Sequence, residues 1–115
     1  MDLAVELRKL QGKRLSTLYQ KKPFEIIQVS NNQIILKTST ESQRPIPLKE
    51  IVLAWNHLEK HKELTRSEVR DLGYSEFNPA YVVAILANLP GVTHTVKPIR
   101  LSLTSPKQKN DQQLA

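Results

Sequence analysis

The spacing of apolar residues changes at Pro47, and no other feature limits the folds open to this chain as strongly. Before it, Phe24 to Val29 and Gln33 to Thr38 are short runs rich in Ile, Val and Phe. Runs of that length, bounded by polar turn residues, read as β-strands. After it, Leu48, Ile51, Val52, Trp55 and Leu58 fall on one face of an amphipathic helix. A β-rich segment therefore precedes a helical one. A chain of 115 residues is sized for one shared core rather than two. The expected class is α+β.

Turn chemistry supplies the finer divisions. Asp2 can cap a short N-terminal helix carrying Leu3, Leu7 and Leu10, and Gly12 can stop it. Arg14 to Tyr19 has a mixed pattern and is only a candidate strand. Ser30-Asn31-Asn32 suits a hairpin turn, because Asn tolerates positive φ. Ser39 to Gln43 is a second polar turn, and Arg44 to Pro47 returns as the third strand of an antiparallel meander. Its two prolines assign it to an edge, since proline cannot donate to the ladder.

Pro47 suits the first turn of the following helix, whose solvated side carries Lys49, Glu50, Asn56, Glu59 and Lys60. Thr65-Arg66-Ser67-Glu68 is a capping box, with Leu64 and Val69 at the positions of a hydrophobic staple. Gly73 ends that helix. Asn78 can cap the next, with Pro79 at its first position and Phe77 and Val82 as a second staple; Pro90-Gly91 stops it after Leu89. A last strand near Pro98 to Leu103 alternates Ile99, Leu101 and Leu103 with Arg100 and Ser102. The expected order in a single domain, residues 1–103, is thus N-terminal helix, three-stranded antiparallel β-meander, three helices and a final strand. Residues 104–115 read as a polar, disordered tail.

The last helices and strand also admit a winged-helix-like arrangement. Against a helix-turn-helix, the Gly73 to Asn78 connection exceeds the usual turn of about three or four residues. Moreover, Pro79–Leu89 is apolar nearly all round, whereas base edges are read by Arg, Lys, Asn and Gln. This helix is expected at the core, with only Asn78 and Tyr81 at its start as contact points.

Charge suggests the partner. The formal net charge is +6, and it is uneven. Residues 1–24 hold six basic and two acidic side chains, the last nineteen hold four and one, and the middle holds seven and eight. A basic excess at both ends suits a polyanion, with nucleic acid, DNA foremost, the first candidate; the plainer reading is solubility. Lys13, Arg14, Lys21, Lys22, Arg66, Arg70, Lys97 and Arg100 are the expected phosphate contacts. No stretch approaches the roughly 20 apolar residues of a membrane helix, and Met-Asp-Leu does not open a secretory signal. With no Cys, disulfides and thiolate metal sites are excluded. A prokaryotic cytoplasm, or that of a phage-infected host, is the expected compartment.

Catalytic patterns are not found. His57 and His61 are four apart on a helix, but Leu58 stands where a zinc protease needs Glu, and no third ligand is evident. No Asp or Glu stands two residues before a Lys, as a common nuclease core requires, and three glycines make no phosphate loop. No enzyme activity, catalytic residue, metal or cofactor is therefore expected. The alternative to nucleic-acid binding is a protein-interaction or assembly module, with Pro79–Leu89 or the Leu3/Leu7/Leu10 stripe packed on another chain or a second copy.

The run from Gly12 through Ser-Thr-Leu, Pro-Phe-Glu-Ile-Ile and Arg-Pro-Ile-Pro, then Leu-Thr-Arg-Ser-Glu and Asn-Pro-Ala-Tyr-Val-Val-Ala-Ile-Leu-Ala-Asn-Leu-Pro-Gly-Val, resembles small accessory modules of bacterial restriction or phage-defence proteins. The likeness covers residues 12–103 and rests on hydrophobic pattern and turn residues. It implies a DNA-contacting accessory or regulator, and transfers no individual site residue.

Overall fold

The computed structural model describes residues 1–104 and forms α+β architecture with two antiparallel sheets. The short helix α1, Leu3–Arg8, starts at Asp2, whose carboxylate accepts from the Ala4 and Val5 amides at 3.0 and 3.4 Å. Gly12 follows in the left-handed region (φ 84°). Its N–H reaches Ile26 O at 2.7 Å, so the helix exit is stitched to the sheet that comes next.

That sheet has the order β1-β2-β3-β4, from Arg14–Ser16, Pro23–Val29, Gln33–Lys37 and Gln43–Pro47. It has one strand more than the expected meander, because Arg14–Ser16 pairs with β2 in the register Leu15↔Phe24. The mixed pattern of β1 follows from its edge position and three-residue length. A bulge in β2 between Ile26 and Gln28 leaves Ile27 unpaired and partly exposed, which breaks strict alternation. The proline-bearing β4 is the other edge strand, as Pro45 and Pro47 require. The Ser30–Asn32 turn forms, but neither asparagine has positive φ; the non-glycine residues that do are Lys21, Glu41 and Lys62. The Ser30 hydroxyl instead organises the turn by bonding Asn32 Oδ1 and Gln33 O.

Helix α2, Leu48–His61, begins directly from β4. Pro47 is its N-cap rather than its first residue, and the Leu48 N–H is satisfied by Asn32 O of the β2–β3 turn at 2.9 Å. Ile51, Ala54, Trp55 and Leu58 are buried. The chain then forms β5 (Glu63–Thr65), α3 (Arg66–Asp71), α4 (Pro79–Leu86) and the hairpin β6 (Val92–Val96) and β7 (Ile99–Leu103). Both halves of the capping box are present: Glu68 N–H donates to the Thr65 hydroxyl and Thr65 N–H to the Glu68 carboxylate, at 3.1 and 2.8 Å. Leu64 and Val69 are fully buried.

The second sheet has the order β5-β7-β6. The final strand is therefore the middle of three, not a solitary one. Strand β5 is too short, and the Val-Thr-His-Thr-Val run of β6 too polar, to stand out as strands before β7 supplies a partner for each. Helix α4 ends at Leu86 rather than Leu89, with Asn88 Nδ2 donating back to Ala84 O at 2.8 Å. Val82 to Leu86 are fully buried, so this is the core helix that its composition demands. One contiguous hydrophobic cluster takes in residues of both sheets and all four helices. Among the described residues no helix is long and apolar enough to cross a membrane. The tail expected at 104–115 lies outside the described residues except for Thr104, whose N–H and hydroxyl both bond Gly91 O.

Candidate nucleic-acid interface

The β1–β2 connection, residues 17–22, is a tightly bonded loop. Thr17 N–H donates to Lys22 O, Lys21 N–H to Thr17 O, and Lys22 N–H to the Thr17 hydroxyl, all at 3.0 to 3.1 Å. Leu18 is buried as its anchor, while the neighbouring Tyr19 is 55% exposed. This loop lies across α4 and against the β6–β7 hairpin, and a series of shallow depressions follows the seam. One is lined by Tyr19, Gln20, Arg66, Ala80 and Ile99. The next, toward the hairpin tip, has Tyr19, Arg66, Ser67, Val96 and Pro98. In the opposite direction, Arg14, Lys21, Asn88 and His94 surround a third. Beyond Arg66, a fourth is formed by Arg70, Glu76, Phe77 and Pro79. Arg66 borders three of the four. The first three contain no carboxylate among their lining residues.

The basic residues singled out in the sequence divide into two groups. Arg14, Lys21 and Arg66 border the seam directly. Lys97 is exposed at the hairpin tip between Val96 and Pro98, which both line it. Arg70 lies at the Phe77 end with Asp71 3.6 Å away. Lys22 is exposed at the loop's end, and Lys13 lies between α1 and β1 with its backbone bonded to Ile26. Strand alternation sends Arg100 to the sheet face opposite Ile99 and Leu101; there it meets Glu63 at 3.9 Å.

The two contact points expected at the start of α4 are engaged inside the fold. Asn78 is only 8% exposed. Its Oδ1 accepts from Arg44 at 2.9 Å, its Nδ2 donates to Glu50 at 3.1 Å, and its side chain makes no capping bond. Ser75 completes the knot, donating its hydroxyl to Glu50 and accepting from Asn78 N–H. The half-buried Tyr81 stacks edge-on against Phe24 at 5.2 Å, with the Arg44 guanidinium over its ring. Strand β2 thus meets the start of α4 at Tyr81, and β1 also packs on this helix.

Phe77 departs from expectation in the other direction. It does not staple onto buried Val82; the residue is 77% exposed. Tyr19, Phe77, Gln20, Asn88 and His94 are therefore the seam residues that the sequence reading missed. The run Tyr19-Gln20-Lys21-Lys22, an aromatic beside two lysines, carries a signal for the first. Nothing local marks Phe77, because the staple position is the ordinary place for such a residue.

His57 is held where α2 meets α3: Nδ1 lies 3.1 Å from the Tyr74 hydroxyl and Nε2 3.8 Å from Glu68, while the His61 ring packs 4.5 Å away. Among the described residues no group of three or more His, Asp or Glu side chains is arranged to hold a metal ion. The chain matches no protein-family model, no curated protein and no solved structure.

Proposed function

We propose that this chain is a non-catalytic nucleic-acid-binding module, with accessory or regulatory action in a prokaryotic cytoplasm, and that the seam around Arg66 receives the phosphate backbone. The observation that carries the reading is that basic side chains from separate segments converge there. Arg14 and Lys21 come from β1 and its loop and Arg66 from the start of α3; Lys97 is exposed at the hairpin tip between two residues that line the seam. No carboxylate lines the depressions that join them. Solubility alone asks only that lysines be spread over the surface, whereas a backbone ligand needs cations aligned along one track.

Helix α2, strand β5, helices α3 and α4 and the β6–β7 hairpin, with sheet order β5-β7-β6, follow the sequence of elements of a winged-helix unit. We read residues 48–103 as winged-helix-like, with the hairpin as the wing and the four-stranded sheet laid over α4. The accessory or regulatory part of this reading rests on the resemblance of residues 12–103, in hydrophobic pattern and turn residues, to small modules of restriction or phage-defence proteins. The protein-assembly alternative loses its two motivating surfaces, because Leu7, Leu10 and the apolar body of α4 are buried in the domain's own core.

Fluorescence anisotropy with labelled duplex and single-stranded DNA and with RNA tests the proposal. Binding is expected at about 50 mM salt and is lost steeply toward about 200 mM. Arg66→Ala and Lys21→Ala weaken it while leaving the thermal melt unchanged. No binding to any of these nucleic acids at low salt overturns the proposal.

A further inference from the structure

Two large rings are displayed along the seam, and neither is used by the fold. Phe77 and Tyr19 are 77% and 55% exposed, and each borders a depression that Arg66 also lines. Each is also held from behind. Leu18, next to Tyr19, is buried, and the loop backbone is tied through Thr17. Asn78, next to Phe77, is buried and bonded to Arg44 and Glu50, and Arg44 also donates to Phe77 O at 3.4 Å. The rings are thus exposed while their backbones are fixed, so little ordering cost remains when a ligand lands on them.

We propose that the seam binds single-stranded nucleic acid, with unpaired bases stacked on Tyr19 and Phe77 and the intervening phosphates on Arg66. This rests on the nucleic-acid reading above and specifies its substrate. Base-on-ring stacking beside cations is the means by which proteins hold single strands without reading sequence. A base pair in a duplex hides the faces that these rings offer to cover. Duplex reading, in contrast, needs an element that enters a groove with polar side chains. Helix α4 bears no basic residue, and its body from Val82 to Leu86 is fully buried, packed against α3, α2 and β1.

The test uses the full chain and a fluorescein-labelled mixed-sequence DNA of about 15 nucleotides, alone and annealed to its complement. The single strand is expected to bind at least about tenfold more tightly than the duplex. Tyr19→Leu and Phe77→Leu each weaken single-strand binding by roughly 5- to 150-fold, the range that base–aromatic stacking supports, and leave duplex binding unchanged. Because both side chains are exposed, circular dichroism melts of the variants should overlay the parent. A Phe77→Trp variant, in which only Trp55 contributes background emission, should be quenched by the single strand and not by the duplex.

If strand and duplex bind equally and the leucine variants are indifferent, the stacking proposal falls while the nucleic-acid reading stands. If neither binds, both fall. If instead light scattering shows self-association that Phe77→Leu abolishes, with no loss of strand binding, the ring belongs to a protein contact and the proposal is overturned.

Discussion

Thr65 is at once the last residue of β5 and the N-cap of α3, and its hydroxyl accepts from the Glu68 amide at the helix start. Thr65→Ala removes the acceptor for the Glu68 amide and should destabilise the protein by about 1 kcal/mol in a urea melt. The capping box was legible because all its partners lie within four residues of one another. Asn78 is the contrary case. Its partners Arg44 and Glu50 come from β4 and α2, more than 25 residues away, and no local pattern announces them. Asn78→Ala leaves a guanidinium and a carboxylate short of a partner in a mostly buried site. It should cost roughly 1–3 kcal/mol in the same melt. Single-strand affinity of the folded variant, measured by anisotropy, should also fall, because Asn78 helps to hold the backbone behind Phe77.

Among the elements, α4 carries the largest share of the core. Its residues Val82 to Leu86 have no exposed face, and a helix apolar on every side must be enclosed. Leu86→Ala should therefore cost about 2–5 kcal/mol, by lost transfer energy and by the cavity it leaves; equilibrium urea denaturation measures it. Composition alone indicated that α4 is buried, but not that a sheet formed by the N-terminal half is part of its cover. The β6–β7 hairpin offers a functional counterpart. Its tip residue Lys97 adjoins the seam, whereas Arg100 emerges on the other face of the sheet beside Glu63. Lys97→Ala should lower affinity for a labelled single strand, and Arg100→Ala should leave it unaltered. A loss from Arg100→Ala with none from Lys97→Ala would mean that the hairpin meets its ligand with the opposite face.

For the whole molecule, the seam is an electrostatic object assembled from remote pieces of chain. If Arg14, Lys21, Arg66 and Lys97 each meet one phosphate, the logarithm of single-strand affinity should fall with the logarithm of salt concentration at a slope of about −3. Removing any one of the four should make that slope shallower by about 0.7. Titrations at four or five salt concentrations measure both quantities. A slope near −1 would mean that only one of these cations touches the backbone. The net charge of +6 does not predict this number, because Arg100 and Arg70 stand beside carboxylates and Lys13 lies apart from the track.

What the sequence determined by itself is the part of the structure governed by short-range physics. The α+β class, the β2–β3–β4 meander, the start of α3 and the burial of α4 all follow from periodicity, proline and capping within windows of a few residues. The strands β5 and β6 did not, because three residues of Glu-Leu-Thr and a half-polar Val-Thr-His-Thr-Val become strands only when β7 satisfies their backbone groups from across the sheet. The candidate site is likewise a tertiary product. A local reading could name the basic residues, but only folding decides that Arg14, Lys21 and Arg66 share a seam and that Arg100 does not. It also decides that Phe77, at a position suited to the core, stays in solvent because the neighbouring Asn78 is pinned by Arg44 and Glu50. Contacts between residues far apart in the chain have no period and no local composition, so they exist only once the sheet, helices and hairpin have closed on one another.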